Sequence, residues 1–426
     1  MKGKATICCN FQGLSKVVNA LLLLLMTAFS CKIRGFFLLS ATMTRIGIIG
    51  GGQLAAMLVK AVRQTDASAD TETQIFVLDS DPNCPAALVG GVHVPGSPSS
   101  GEGYDQLAAL ADVLTIDLEN VSVEKLSRLQ SDGHTVVPDP DLLARVTDKL
   151  QQKRWYAELG LPTADFQAHP ANEDISSDAF GFPVVQKAAR GGYDGRGVFV
   201  LHSAQDNVDR LQVDGFLERY IERSMEISVM VAADGQGAAA AYEPVEMVFH
   251  EAGNVLDYLV APARLEAERL AEARRLAVSA IEKMQGKGIF GVEMFLTPKG
   301  ELLINEISPR THNSGHYTTE ACQTSQFVQQ FNILSGKPLG STDQIQPAVM
   351  FNLLGAEGFD GDTVVEGADL AKNDPSVWVH LYGKTRCFPG RKMGHVTVVA
   401  ATVDEALEKV DTIRPQLNVR GAQPID

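Results

Sequence analysis

A short apolar strand, a run of three glycines and a helix follow one another near the start of the chain, and this order limits the fold most. Arg45–Gly50 predicts a buried strand, Gly50-Gly51-Gly52 a tight turn and Gln53–Val62 a helix. Further apolar runs at 74–78, 112–116 and 135–137 predict strands separated by helical stretches. Strands that alternate with helices form a parallel sheet covered on both faces. Residues 43–145 are therefore predicted to form one Rossmann-like α/β domain.

The glycine turn also fits the G-x-G-x-x-G/A pattern of dinucleotide-binding proteins. Asp79 ends the next predicted strand, where an acid that binds a ribose would stand. An NAD(P)-linked oxidoreductase is therefore one interpretation. Backbone N–H groups at a helix start favour any phosphate, so the turn could equally hold a substrate phosphate or let the helix pack on the strand. The motif alone leaves these alternatives open.

Charge and cysteine content narrow the class of partner. The net charge of −15 argues against nucleic acids and anionic membranes, although a local basic pocket would still accept small anionic substrates. The six cysteines show no CxxC or zinc spacing. They are interpreted as reduced thiols of a cytosol-like compartment.

Residues 1–42 are treated separately. Two lysines precede an apolar run at 20–29 that is too short to span a bilayer and is typical of a signal-peptide core. Met43 follows this segment, and the first predicted strand begins two residues after it, as expected just after a translation start. The alternatives are a mis-assigned upstream start, a leader that targets an organelle or membrane, and a secretion signal. We expect a cytoplasmic protein, with organelle targeting as the alternative.

The rest of the chain predicts two further regions. Residues 146–338 carry apolar strands that follow one another without helices, which favours antiparallel pairing, and a long helix at 265–284. Residues 339–426 form a small β-rich region with one helix at 403–413. The predicted fold class is therefore α/β in the first domain and α+β beyond it.

A second glycine-rich segment, 187–197, lies between two apolar strands. No helix follows it directly, so it is not a P-loop. Lys187, Arg190 and Arg196 make it basic. It is interpreted as a mobile hairpin loop that would fold over nucleotide phosphates and exclude water, with a plain surface hairpin as the alternative.

Two glutamates interrupt otherwise apolar strands on either side of a predicted hairpin turn. With Lys299-Gly300 at the centre of the turn, Glu293 faces Glu306, and Phe295 faces Ile304. Like charges directly opposite one another destabilise a sheet. A divalent cation between them reverses that effect, and Mg²⁺ bound by carboxylates and nucleotide phosphates is the natural choice. The alternative is a slipped register with both acids facing solvent.

A dense polar run, 308–317, follows the second strand, and Arg310 in it offers a planar fork for phosphate or carboxylate. Together with Lys187, the GGYDGRG loop, Glu293 and Asn305-Glu306, the RTHNSGH run resembles the ATP-grasp superfamily. More narrowly, these segments, with GGGQL near the start and GRKMGH near the end, resemble N5-carboxyaminoimidazole ribonucleotide synthetase, the ATPase subunit of phosphoribosylaminoimidazole carboxylase. The resemblance covers the chain from Thr44 to the C-terminal region.

The resemblance implies an ATP-grasp fold with a pre-ATP-grasp domain and a small C-terminal domain. It implies ATP-dependent carboxylation of aminoimidazole ribonucleotide by bicarbonate through carboxyphosphate, in purine biosynthesis. It also implies Mg²⁺, with Mn²⁺ as an alternative, no biotin and no NAD, a homodimer, and functional coupling to the mutase that acts next.

The resemblance further assigns roles to individual residues. Glu293 and Glu306 would bind the metal. The implied catalytic residues are Tyr193, Asp194, Arg196 and Lys384. The implied ATP contacts are Lys149, Lys187, Gly192, Tyr193, Asp194, Gly195, Arg196, Gly197, Val198, Glu218, Ile221, Glu226, His250, Asn305 and Glu306. The implied substrate contacts are Gly52, Gln53, Glu119, Arg310, His312, Asn313, Ser314, Lys384 and Arg391.

Some features depart from the family pattern or leave rivals open. Asp117 stands where a glutamate is more familiar, so either Asp117 or Glu119 could be the acid that contacts substrate. Lys149 stands where arginine is also common. The rivals are a formate-dependent glycinamide ribonucleotide formyltransferase, the NAD(P)-linked oxidoreductase and a catalytically silent nucleotide-binding protein. The oxidoreductase leaves the opposed glutamates unexplained.

Overall fold

The computed structural model describes residues 44–69, 72–192, 197–250, 255–369 and 373–425. The predicted leader lies outside the described residues, as do residues 193–196 of the second glycine loop. Across the described ranges, no helix combines the length and the apolar character needed to cross a membrane.

The first region contains the predicted parallel sheet. Its strands lie in the order β3-β2-β1-β4-β5. They are β1 (Arg45–Ile49), β2 (Gln74–Asp79), β3 (Val92–Pro95), β4 (Val113–Ile116) and β5 (Thr135–Val136). The helices are α1 (Gln53–Ala69), α2 (Pro85–Leu88), α3 (Tyr104–Leu110), α4 (Val123–Ser131) and α5 (Pro140–Val146). Because β1 pairs with β2 on one side and β4 on the other, the winding direction reverses there and a crevice opens at their carboxyl ends.

A four-stranded antiparallel sheet follows helix α6 (Lys149–Glu158). Its order is β6-β9-β7-β8. The strands are β6 (Phe166–His169), β7 (Val184–Ala188), β8 (Val198–Leu201) and β9 (Gly215–Arg219). The second glycine loop joins β7 to β8, so it is the hairpin loop that the sequence predicted.

A nine-stranded antiparallel sheet forms the largest layer. The strands from the second region are β10 (Met225–Asp234), β11 (Ala239–Ala241), β12 (Val245–Phe249), β13 (Leu256–Ala261), β14 (Lys287–Leu296) and β15 (Leu302–Ser308). The helices that accompany them are α7 (Ala267–Lys283), α8 (Thr318–Ala321) and α9 (Gln326–Leu334).

The third region extends this sheet. It contains β16 (Ala348–Leu354), β17 (Phe359–Glu366), β18 (Val377–Leu381), β19 (Arg386–Cys387), β20 (Lys392–Val399), α10 (Val403–Ile413) and β21 (Asn418–Pro424). Strand β16 pairs with β13, and β20 and β18 follow. The boundary predicted near residue 339 lies in the connection between α9 and β16, and the strands before and after it belong to one sheet. Strands β19, β17 and β21 form a separate small sheet.

Small side chains let helix α7 lie close to the nine-stranded sheet. Ala273, Ala277 and Ala280 are fully buried and repeat at helical spacing, so they form one apolar stripe. They pack with residues of β10 and β14 in one core. Helix α9 packs against α1 and joins the parallel sheet to the larger one, and its Gln330 donates a hydrogen bond to Thr115 of β4 at 3.0 Å.

Candidate functional site

A cavity of about 310 Å³ opens between the four-stranded and nine-stranded sheets, beside the carboxyl end of the parallel sheet. Many residues predicted as ATP, metal or substrate contacts line it. They are Glu119, Lys149, Lys187, Gly192, Val198, Glu218, Ile221, Glu226, Glu293, Asn305, Glu306, Arg310, His312 and Asn313. The cavity therefore brings together residues of the second glycine-rich segment, the hairpin with the two glutamates and the polar run 308–317.

The two strand glutamates face one another across β14 and β15. Glu293 pairs directly with Glu306, as the sequence predicted. Both carboxylates line the cavity, so neither points to open solvent. The alternative of a slipped register with both acids in water is wrong.

The predicted turn at the end of this hairpin is wrong in detail. The Gly300 N–H donates to the Thr297 carbonyl at 2.9 Å, so Pro298 and Lys299 occupy the centre of the turn. Beyond the turn Phe295 therefore pairs with Leu303 rather than with the predicted residue.

A β-bulge at Asn305 restores the register at the glutamates. The register shifts between Glu293 and Met294, which leaves Asn305 as the extra residue of β15. In a regular strand Asn305 and Glu306 would point to opposite faces. The bulge interrupts that alternation, and both side chains line the cavity.

The glutamate pair carries one proton more easily than it carries two charges. Burial, and then the Glu306 carboxylate, raises the pKa of Glu293 above its usual range. Burial would also raise the pKa of Glu306, but the Lys149 ammonium, 2.6 Å from Glu306 Oε2, lowers it instead. The pair therefore holds an ionised Glu306 beside a Glu293 that retains its proton near neutral pH.

Glu218 is held between two lysines. Its carboxylate lies 2.7 Å from Lys187 Nζ and 2.6 Å from Lys153 Nζ, and its side chain is almost fully buried. Despite burial, these ammonium groups lower the pKa of Glu218. Lys187 also donates to Asn305 Oδ1 at 2.9 Å, which links the β7 lysine to the bulge beside the glutamate pair.

The other end of the cavity is a wall of ionic and polar groups. The Arg310 guanidinium lies 2.8 Å from Glu119 Oε2, and both residues line the cavity. His312 Nε2 lies 3.7 Å from Glu293 Oε1. Burial, and then Arg310, lowers the pKa of His312 to about 4, so the imidazole is neutral at physiological pH.

The glycine turn uses its backbone donors within the protein. Gly51 N–H donates to Asp79 at 2.8 Å, while Gly52 and Ala55 N–H groups donate to Asp117 at 2.7 and 2.6 Å. Because these three donors are bonded to carboxylates, the turn lacks the geometry that would cradle a dinucleotide pyrophosphate. In this conformation these hydrogen bonds fix the start of helix α1.

Asp117 and Glu119 therefore have different places. Asp117 is buried against the start of helix α1, and burial raises its pKa to about 6. Glu119 lines the cavity and pairs with Arg310. Of the two acids, only Glu119 is placed to contact a ligand in this conformation.

Several predicted residues lie outside the cavity wall. Gln53 accepts a hydrogen bond from Lys384 Nζ at 2.8 Å. His250 pairs with Asp257 at 3.0 Å. Ser314 is fully buried behind His312, and its hydroxyl lies 2.9 Å from His312 Nδ1. Gly52, Gly197 and Arg391 are also absent from the lining, while Tyr193, Asp194, Gly195 and Arg196 lie outside the described residues.

Sequence reasoning missed several residues of the site. Lys153 is buried against Glu218 and carried no motif signal, because its role depends on a contact 65 residues away. Lys392 lines the cavity, and its place in the GRKMGH segment was the signal that could have found it. The missed apolar and basic wall residues include Arg223, Met247, Phe249, Leu256 and Phe295.

The glutamate pair fits a divalent cation if a ligand or water supplies further oxygen atoms. Within the described ranges, no group of three or more His, Cys, Asp or Glu side chains is arranged to hold a metal ion. Two facing carboxylates supply part of the oxygen ligand set that a hard divalent cation needs. Nucleotide phosphates in the same cavity would complete it.

The parallel first region, the two antiparallel sheets that enclose the cavity and the lysine–glutamate wall define the class of protein: an ATP-grasp ligase. Residues 154–327 match the sequence model of the ATP-grasp domain, residues 43–147 that of the ribonucleotide synthetase preATP-grasp domain, and residues 348–409 that of the phosphoribosylaminoimidazole carboxylase C-terminal domain. The chain belongs to the N5-carboxyaminoimidazole ribonucleotide synthase family.

Individual relatives agree over most of their length. The N5-carboxyaminoimidazole ribonucleotide synthase of Synechococcus elongatus is 37% identical over 389 residues, which cover 89% of this chain and 96% of the relative. The crystal structure of the Thermotoga maritima synthetase has a TM-score of 0.81 and 39% identity, covering 89% of this chain and all of that one. An Aspergillus clavatus synthase in complex with ADP and 5-aminoimidazole ribonucleotide has a TM-score of 0.78 and 30% identity, covering 87% and 98% of the two chains.

Proposed function

We propose that this enzyme carboxylates the exocyclic amine of 5-aminoimidazole ribonucleotide with bicarbonate at the expense of ATP. The γ-phosphoryl group passes to a bicarbonate oxygen, which gives carboxyphosphate and ADP. The amine then attacks the carboxyl carbon, phosphate leaves, and the nitrogen loses one proton. The product is N5-carboxyaminoimidazole ribonucleotide.

The observation that carries this proposal is the cavity in which Glu293 faces Glu306 beside two lysines. Phosphoryl transfer depends on charge neutralisation and positioning more than on a protein nucleophile. Lys149, 2.6 Å from Glu306, and Lys187, 2.7 Å from Glu218, are placed to exchange carboxylate partners for phosphate oxygens. The apolar side chains that line the same cavity would hold the adenine base of ATP.

The metal in this proposal is Mg²⁺, with Mn²⁺ as an alternative. Glu293 and Glu306 would bind it together with the ATP phosphates, and the Asn305 side chain lies beside them. Mg²⁺ would neutralise charge on the phosphates when bound. Because Glu293 holds a proton in the absence of the ion, metal binding would release that proton.

The nucleotide substrate would occupy the end of the cavity near Arg310 and His312. The Arg310 guanidinium offers paired donors to a phosphate, and the Glu119 carboxylate would orient that guanidinium. Lys392 lines the same end and adds a cation. By the family resemblance, Tyr193, Asp194 and Arg196 of the glycine loop would face bicarbonate and the nucleotide substrate, and Lys384 would contact that substrate.

One assay tests the reaction. Purified protein should release phosphate from ATP when aminoimidazole ribonucleotide and bicarbonate are both present, and omission of either should remove the activity. Release driven by glycinamide ribonucleotide and formate, or oxidation of NADH, would support a rival. A protein that binds ATP but turns over no substrate would contradict the proposal.

A matched pair of variants tests the metal role. Glu306→Gln keeps the side-chain shape but removes a charge, and we expect kcat to fall by at least about 100-fold. Glu301→Gln makes the same change at an exposed position of the same hairpin and should leave kcat unchanged. Full activity of Glu306→Gln with Mg²⁺ would exclude Glu306 as a ligand.

We also propose a homodimer and functional coupling to the mutase that uses the product. Light scattering coupled to gel filtration should give twice the mass of the chain, and a monomer would refute the dimer.

In the test of coupling, added mutase should convert the product without its accumulation in the medium. Full trapping of the product by an excess of inactive mutase would exclude direct transfer.

We propose a cytoplasmic location, with targeting by residues 1–42 as the alternative. A fluorescent fusion of the full chain should give diffuse cytoplasmic signal. An organelle signal that is lost when residues 1–42 are deleted would establish targeting instead.

A further inference from the structure

His312 is fixed at its backbone before any ligand binds. The buried Gln326 side chain accepts from the His312 N–H at 2.9 Å and donates to the His312 carbonyl at 2.8 Å. Gly291 of β14 makes room for the ring, since a Cβ there would lie 3.1 Å from both Cβ and Cγ of His312. The imidazole therefore has a defined place at the cavity wall.

Two buried hydroxyl groups lie behind the ring. Ser314 Oγ is 2.9 Å from His312 Nδ1, and Ser228 Oγ is 2.7 Å from Ser314 Oγ. Both serines are at most 1% exposed. Ser228 stands on β10 directly opposite Glu293 on β14. The contacts from His312 through Ser314 to Ser228 therefore lie beside the pair of facing glutamates.

The direction of these hydrogen bonds follows from the backbone. The Ser314 N–H points at His312 Nδ1 at 3.4 Å, a long contact that favours Nδ1 as an acceptor but is too weak to fix the tautomer without the hydroxyl at 2.9 Å. The Ser314 hydroxyl then donates to Nδ1, and Ser228 donates to Ser314. Met230 Sδ, 3.6 Å from Ser314 Oγ, is only a weak competing acceptor.

An imidazole whose Nδ1 accepts a hydrogen bond carries its proton on Nε2, the atom on the cavity side. Nε2 lies 3.7 Å from Glu293 Oε1, beyond hydrogen-bonding distance. The Nε2–H group therefore has capacity for an oxyanion of a ligand in the cavity. A ring with the proton on Nδ1 would present an acceptor there and repel the same oxygen.

We propose that Ser228 and Ser314 are positioning residues that hold His312 as its Nε2–H tautomer, so that it donates a hydrogen bond to a phosphate or carboxylate oxygen of the bound substrate or intermediate. The role in turnover rests on the proposed carboxylation. The tautomer itself does not depend on it. Ser228 and Ser314 act only through the imidazole.

Nitrogen-15 NMR of the full chain labelled at histidine tests the tautomer without substrate. The signal of His312 is assigned among nine histidines by its loss in His312→Gln. We expect the Nε2–H pattern in the wild type and a mixture of tautomers in Ser314→Ala. An Nδ1–H pattern in the wild type would overturn the proposal. An Nε2–H pattern in Ser314→Ala that is unchanged from the wild type would also overturn it.

Steady-state kinetics test the role in turnover. Ser314→Ala should lower kcat about 10- to 100-fold and leave KM for ATP unchanged, as expected when a supporting residue of a reactive group is lost. Ser228→Ala, which keeps the direct contact to His312, should show a smaller loss in the same direction and provides the test if Ser314→Ala does not fold. Thr397→Val removes another fully buried strand hydroxyl and should leave kcat unchanged.

The outcomes separate the two proposals. A shifted tautomer with unchanged kcat would refute the positioning role while the carboxylation stands. A protein inactive toward aminoimidazole ribonucleotide, but with the Nε2–H tautomer lost in Ser314→Ala, would refute the carboxylation and retain the tautomer control.

Discussion

Three histidines that stay neutral in the folded protein predict how its stability depends on pH. His395 lies between His316 and His380, with ring centroids 4.4 and 4.6 Å apart, and its Nδ1 is 2.9 Å from the Tyr382 hydroxyl. His316 and His395 are fully buried, and burial lowers the pKa of both well below the usual range. Together with His312, they stay neutral in the folded protein at mildly acidic pH.

The sign follows from proton linkage. In the unfolded chain a histidine takes up a proton near pH 6.5, so each buried neutral histidine lowers the free energy of unfolding by roughly 1.4 kcal/mol per pH unit below that value. Glu293 and Asp117 act in the opposite direction, because burial raises their pKa values and the folded state binds their protons first. Glu226, whose pKa burial also raises, acts in the same direction as these two acids. The contribution of one buried neutral histidine, roughly 1.4 kcal/mol per pH unit between pH 6 and 5, is therefore measured as a difference between the wild type and a variant that lacks it.

His395→Asn removes one of these histidines while its amide can still reach the position of Nδ1. From pH 6 to 5 we expect the free energy of unfolding of the wild type to fall by about 1.4 kcal/mol relative to that of His395→Asn. Urea titrations at each pH, followed by the fluorescence of Trp155 and Trp378, measure both. His202→Asn, at an exposed position, is the control and should follow the wild type. Equal slopes for wild type and His395→Asn would refute the reasoning.

Three further changes test the packing around the cavity. Lys153→Met should lower the free energy of unfolding by about 1–3 kcal/mol in urea titrations, because it removes one of the two ammonium groups that hold buried Glu218; no loss would mean that the pair contributes nothing. Gly52→Ala would place a Cβ 2.4 Å from Asp117 Oδ2, and we expect a cost of about 1–3 kcal/mol by the same measurement, so unchanged stability would contradict the tight helix start. Arg310→Lys should raise KM for the nucleotide substrate about 10-fold without a change in KM for ATP, because an ammonium lacks the paired donors of the guanidinium; a rise in KM for ATP alone would contradict that assignment.

Local features of the chain could be predicted because they depend on neighbouring residues. The strand, glycine turn and helix at 45–62 follow from composition and spacing, and the parallel sheet follows from their repetition. The glutamates are 13 positions apart in one hairpin, so their pairing needed only a turn between them. The resemblance to the synthetase family added the roles that residue chemistry alone left open.

The Asn305 bulge illustrates the limit of this reasoning. The sequence predicted the pairing of Glu293 with Glu306 from an assumed turn centre, and the observed turn by itself would have placed Asn305 opposite Glu293. Two local errors cancelled. A bulge adds one residue to a strand without leaving a periodic signal in the sequence. Contacts made elsewhere offset the free-energy cost of the disrupted pairing, here the hydrogen bond from Lys187 to Asn305.

Contacts between distant segments were decided only in the folded molecule. Lys153 meets Glu218 on a strand 65 residues away, and Ser228 meets Ser314 across 86 residues. Asp117 caps helix α1 while Glu119, two residues on, lines the cavity. Periodicity assigns a side chain to one face of its own strand or helix, but which group it then meets depends on how sheets and helices pack together, and that is a property of the whole chain.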